Sequence, residues 1–173
     1  MNIFLLGYMA SGKSTVGKLL ASKLKFGFLD LDAYIETKEA MDVPTIFSKK
    51  GEIYFRKQEA KYLNEVLALN NPTVVALGGG TPCYGDNMKV LTQHQNTKTI
   101  YLKMSIEQLS KRLLQEKDTR PLIAHLKSEV ELNEFIGKHL FERQYYYNQA
   151  SIVLDVTSNS VQEIVEKIVL NLV

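Results

Sequence analysis

The chain has 173 residues, 45% of them hydrophobic, which is enough for one domain around a buried core. A formal charge of +2 leaves no net electrostatic footprint for nucleic acid or an anionic membrane, and a single cysteine, Cys83, excludes an internal disulfide. The N-terminal apolar run stops at Gly7 with no basic residue before it, and no stretch reaches the length of a membrane span. A soluble, cytoplasmic protein is therefore expected, and the balanced charge without an obvious apolar stripe favours a monomer.

The apolar run Asn2 to Leu6 predicts a strand, and the helix-periodic stretch through Lys25 predicts a helix. Between them, Gly7-Tyr8-Met9-Ala10-Ser11-Gly12-Lys13-Ser14-Thr15 spells Gly, four residues, Gly, Lys and a hydroxyl residue. Gly7 and Gly12 permit torsions closed to residues with a Cβ, so the amides of Ala10, Ser11, Gly12 and their neighbours can converge on one anion. The helix N-terminus adds a partial positive charge. Lys13 is expected to reach the β- and γ-phosphates of a nucleotide, and Ser14 to ligate the Mg²⁺ between them, so ATP and Mg²⁺ are the expected cofactors.

A short strand at 28–30 leads into Asp30-Leu31-Asp32, whose carboxylates would share one face if the backbone stays extended. Asp30 then suits the Mg²⁺ shell, and Asp32 suits orienting or deprotonating a nucleophile; Asp32 could instead cap a helix over Tyr34 to Met41. After Val43-Pro44 and a break at Gly51 comes a longer helix, in which Arg56 and Glu59 stand at i, i+3. A carboxylate that holds an arginine fork is a device for gripping an anion, although the same spacing also suits a surface ion pair.

Thr73 to Leu77 has the continuous apolar character of a buried parallel strand and ends in Gly78-Gly79-Gly80, where backbone can approach a ligand or serve as a hinge. A strand at 98–103 leads to a helix over Ile106 to Leu114, which carries Arg112. The polar segment at 115–126 predicts a lid, with Arg120 placed to close on a transferring phosphoryl group. A helix over Leu132 to Tyr147 carries His139 and Arg143, a strand follows at 151–156, and a helix over Val161 to Leu172 closes the chain. The histidines lack metal spacing and are expected at the surface or in packing, as is the run Tyr145-Tyr146-Tyr147. Alternating strands and helices predict one α/β domain over 1–173, a parallel sheet covered on both faces.

The phosphate loop, Asp30-x-Asp32, Gly51-Glu-x-x-Phe-Arg-x-x-Glu59, the glycine triplet and Arg120-Pro121-Leu122, in this order, resemble shikimate kinase over nearly the whole chain. The resemblance implies a three-layer P-loop kinase fold with five parallel strands in the order 2-3-1-4-5. It implies ATP-dependent phosphorylation of the 3-hydroxyl of shikimate, a step of aromatic amino acid synthesis. By the same resemblance a shikimate-binding region covers about residues 32–62, Asp32 meets the shikimate hydroxyls, Arg56 and Arg143 clamp its carboxylate, and Gly78, Gly79 and Gly80 bind the acceptor. Arg120 matches the lid arginine, Arg112 and Asn159 match positions near the adenine, and Tyr145 stands where the family usually has a proline. Two alternatives remain at this level: a P-loop kinase for another small hydroxy acid or sugar acid, and a non-catalytic nucleotide-binding regulator.

Overall fold

The computed structural model describes residues 1–173, apart from the side chain of Lys117. The strands are β1 (Asn2–Leu6), β2 (Gly27–Asp30), β3 (Thr73–Ala76), β4 (Thr97–Lys103) and β5 (Ile152–Asp155). They form one sheet in the order β2-β3-β1-β4-β5, and every pairing is parallel. The helices are α1 (Lys13–Leu24), α2 (Leu31–Glu39), α3 (Val43–Lys50), α4 (Glu52–Leu67), α5 (Asn87–Gln93), α6 (Ile106–Glu116), α7 (Glu129–Tyr147) and α8 (Val161–Leu172).

The three layers follow from side-chain alternation along β1, all of whose residues are buried. Ile3 and Leu5 point into a core with Val16 and Leu20 of α1, Leu109 and Leu113 of α6, and Ile164 and Ile168 of α8. Phe4 and Leu6 point the other way, onto Leu31 and Ile35 of α2, Leu63 of α4 and Leu91 of α5. The register Leu5↔Ala76 and Asp30↔Ala76 brings the carboxyl ends of β1, β2 and β3 to one edge of the sheet. Ligands bind at this edge in open α/β sheets.

Several boundaries differ from expectation. Asp30 and Asp32 do not share an extended face, because β2 ends at Asp30 and α2 begins at Leu31. Asp30, not Asp32, is the helix cap, its Oδ1 accepting from the Ala33 amide at 3.2 Å. At the end of α1 the left-handed residue is Lys25 (φ 57°), whose amide bonds the Ala21 and Ser22 carbonyls. Gly51, at φ 86°, separates α3 from α4 in a conformation open to glycine. Helix α5 and the 3₁₀ turn Thr81–Cys83 are too short to carry a periodic signal and were not visible in the sequence. The segment expected to be a polar lid contains a fully buried residue, Ile123, packed into the core beside α6 and α7. No helix among the described residues is long and apolar enough to cross a membrane.

Candidate active site

The phosphate loop joins β1 to α1. Gly7 (φ 153°) and Gly12 (φ 93°) take up its turns, and Ala10 also adopts a left-handed conformation (φ 64°). A Cβ at Gly7 would stand 2.8 Å from both the Leu102 carbonyl oxygen and Ser11 Oγ, so only glycine fits. Lys13 Nζ folds over the loop, donating to the Gly7 carbonyl at 2.8 Å and the Tyr8 carbonyl at 2.9 Å. Ser14 Oγ donates to Asp30 Oδ2 at 2.8 Å, pairing a hydroxyl from α1 with a carboxylate from the end of β2.

Two charges in the cleft carry opposite perturbations. Burial raises the Asp32 carboxyl to about 6, reinforced by Asp30 and Glu59 and opposed by Lys13. Burial lowers the Lys13 ammonium to about 8 against the pull of Asp32 and Asp30.

The glycine triplet is explained by what packs against it. A Cβ at Gly78 would meet Asp32 Oδ1 at 2.9 Å, one at Gly79 would stand 3.3 Å from Arg143 Nη1, and one at Gly80 would meet Arg56 Nη2 at 2.9 Å. Each glycine therefore leaves room for one of the three charged side chains that the sequence had nominated, and Gly80 does so with ordinary helical torsions (φ −87°). Arg56 Nη1 donates to Glu59 Oε1 at 2.8 Å, and Glu59 Oε2 accepts from Thr81 Oγ1 at 2.7 Å. Glu59 is 1% exposed, so the pair is not a surface ion bridge. Arg56 Nε is buried without a hydrogen-bond partner among the described residues. Arg143, from α7, lies over the Tyr8 ring with its Cζ 5.7 Å from the centroid.

A cavity of about 380 Å³ runs along the loop, lined by residues including Lys13, Ser14, Asp30, Asp32, Gly78 and Gly79. Met9, Thr15, Leu77, Arg112, Glu116 and Arg120 also border it. Arg112 Nη1 donates to the Ala10 carbonyl at 3.0 Å. Arg120 is bonded through Nε and Nη2 to Glu116 Oε2, at 2.7 and 2.5 Å. Asn159 does not line this cavity; its Oδ1 accepts from Lys167 Nζ at 2.9 Å. Arg56 and Arg143 do not line it either; they approach Gly80 and Gly79 respectively.

Other residues of the site were not singled out in the sequence. Tyr8 is buried within the loop, and its hydroxyl shares a 3.0 Å hydrogen bond with Nδ1 of His139, a residue expected only to pack. Tyr147 donates to the Gly79 carbonyl at 2.5 Å and stacks on Tyr101, while Tyr145 of the same run is exposed. Thr81 and Tyr84 complete the surroundings of Arg56. These contacts cross long sequence separations and leave no local pattern. No group of three or more His, Cys, Asp or Glu side chains is arranged to hold a metal among the described residues.

A family model described as shikimate kinase matches residues 9–173. The chain belongs to the shikimate kinase family. The shikimate kinase of Flavobacterium johnsoniae is 44% identical over 166 residues, covering 96% of this chain and 95% of that protein. The crystal structure of shikimate kinase from Bacteroides thetaiotaomicron superposes with a TM-score of 0.90 at 35% identity, covering 99% of this chain and 98% of that one. Shikimate kinase from Acinetobacter baumannii, solved in complex with shikimate, gives a TM-score of 0.85 at 32% identity, covering 99% and 92%. The strand order expected from the resemblance is the one observed.

Proposed function

We propose that this chain transfers the γ-phosphoryl group of ATP to the 3-hydroxyl of shikimate, giving shikimate 3-phosphate and ADP. Membership of the shikimate kinase family supports this activity. The observation that carries it is the packing of Asp32, Arg143 and Arg56 into the spaces left by Gly78, Gly79 and Gly80, beside a phosphate loop. One carboxylate for hydroxyls and two guanidinium groups for a carboxylate select a small polyhydroxy acid and leave unpaired charge against a neutral sugar or a nucleoside.

ATP binds along the cavity, with its phosphates on the amides of residues 7–15 and its base toward Arg112. Asn159, turned to Lys167, borders the base only if that contact opens. Lys13 leaves the carbonyls of Gly7 and Tyr8 and meets the phosphate oxygens, whose charge restores what burial removed from its ammonium. Asp32 takes the proton of the acceptor hydroxyl as the oxygen attacks phosphorus and the bond to ADP breaks. Asp32 suits this step because burial holds its carboxyl at about 6, near the operating pH. Arg120 exchanges Glu116 for the transferring group as the segment at 115–126 closes, pivoting on buried Ile123. Water is thereby kept from the phosphoryl group.

The hydroxyl–carboxylate pair of Ser14 and Asp30 fits Mg²⁺, a hard cation that takes oxygen ligands. Ser14 and Asp30 would hold the ion, which would supply positive charge against the transferring phosphate. The functional unit is proposed to be a monomer. The reaction belongs to aromatic amino acid synthesis in the cytoplasm.

A coupled ADP-release assay over an acceptor panel tests this function. Release that depends on shikimate, and is absent with gluconate or nucleoside monophosphates, is expected. Turnover on one of the others alone would replace the acceptor, and nucleotide binding without turnover on any would indicate a regulator.

A further inference from the structure

Glu59 fixes only one nitrogen of Arg56, and a guanidinium held at a single nitrogen can still tilt and swing about that point. Two close neighbours restrict it further. The backbone of Gly80 approaches so closely that a Cβ would stand 2.9 Å from Nη2 and 3.0 Å from Nη1. The Tyr84 ring is the nearest aromatic surface, its centroid 3.8 Å from Arg56 Cζ, compared with 5.2 Å for Phe55 and 5.9 Å for Phe47. Tyr84 is itself held by a rigid turn. Thr81 Oγ1 donates to Glu59, Asn87 Nδ2 donates to the Thr81 carbonyl at 2.9 Å, and the Cys83 amide donates to the Gly80 carbonyl at 2.9 Å.

An aromatic face attracts the guanidinium through the ring quadrupole and uses none of its N–H groups. The stack therefore leaves the N–H groups that Glu59 does not engage free to donate to an anion, while Nε is buried with the Glu52 carboxylate 3.9 Å away. Tyr84 meets Arg56 through its ring face.

We propose that Tyr84 is a positioning residue for acceptor recognition, holding the Arg56 guanidinium in the plane that receives the acceptor's carboxylate. The inference rests on the proposed shikimate kinase activity. Tyr84 affects the affinity for the acceptor through Arg56 and has no part in the chemical step.

The test compares wild type, Tyr84→Phe and Tyr84→Leu with shikimate and with its carboxamide, which keeps the hydroxyls and lacks the negative charge. Tyr84→Leu should raise the KM for shikimate about 10-fold, in keeping with a partly desolvated cation–π contact, and leave kcat and the KM for ATP within about twofold. Tyr84→Phe should behave as wild type. With the carboxamide, wild type and Tyr84→Leu should have the same KM within about twofold, because the Arg56 charge is no longer engaged; a merely structural role would impair both acceptors alike. An unchanged shikimate KM in Tyr84→Leu, or an equal rise for both acceptors, overturns the proposal. If thermal melting shows that Tyr84→Leu is unfolded, Tyr84→Gln is measured against the same criteria. Wild type serves as the control on the activity itself: no turnover of shikimate refutes that activity, whereas normal wild-type turnover with an unaffected Tyr84→Leu refutes only the role of Tyr84.

Discussion

The carboxylate of Asp32 occupies the space in which Gly78 lacks a side chain: a Cβ at Gly78 would stand 2.9 Å from Asp32 Oδ1 and 3.4 Å from Oδ2. Gly78→Ala must therefore push Asp32 away while leaving the phosphate loop untouched. A fall in kcat of about 10²-fold with unchanged ADP affinity is expected, in line with the sensitivity of positioned groups to displacements of about 1 Å. Steady-state kinetics with calorimetric titration of ADP checks both halves.

Asp32→Asn preserves shape and removes the base. Turnover should drop by about 10² to 10⁴-fold, the range of general base catalysis, with the KM for ATP little changed. Near-normal turnover would remove Asp32 from the mechanism.

The perturbed pair predicts a bell-shaped pH dependence. Asp32 must be ionised and Lys13 protonated in the free enzyme, so kcat/KM for ATP should rise as pH passes about 6 and fall as it passes about 8. These inflections belong to the coupled pair. In kcat the alkaline limb should move to higher pH, because bound phosphate favours the charged lysine. In Asp32→Asn the acid limb should disappear.

Glu59 is buried between Arg56 and Thr81, and its removal leaves the largely buried Arg56 guanidinium with only the more distant Glu52, 3.9 Å away, as a counter-charge. Glu59→Ala should lower the unfolding free energy by about 3 kcal/mol, as breaking a buried pair does, and raise the KM for shikimate more than that for ATP. Urea denaturation and steady-state kinetics read the two effects separately.

The hydroxyl of Ser14 is within 2.8 Å of Asp30, so Ser14→Ala should raise the Mg²⁺ concentration needed for half-maximal activity by about 10-fold or more. Chelation with EDTA should abolish activity in wild type, and added Mg²⁺ should restore it.

What could be read from the sequence was what local chemistry specifies. The loop from Gly7 to Thr15 combines torsions, a lysine and a helix start within one short stretch, and apolar runs announced the strands to within a residue or two. The Arg56–Glu59 pair was visible because i, i+3 neighbours on a helix must touch. Asp30 and Asp32 line one cavity, though not through the shared extended face that was expected, since capping by Asp30 starts α2 earlier than the strand pattern suggested. Arg143 was nominated only by resemblance, because its approach to Gly79 spans α7 and the sheet edge. The contacts of Tyr8 with His139 and of Tyr147 with Gly79 are likewise tertiary. The glycines at 78–80 looked like room for a ligand's approach; they are room for the side chains proposed to meet it.

The most direct test of the central claim is the structure of the product formed from ATP and shikimate, read by phosphorus and proton NMR. A single phosphate ester at the 3-hydroxyl, formed in step with ADP, is the predicted result. An ester at another hydroxyl, or inorganic phosphate alone, would contradict it.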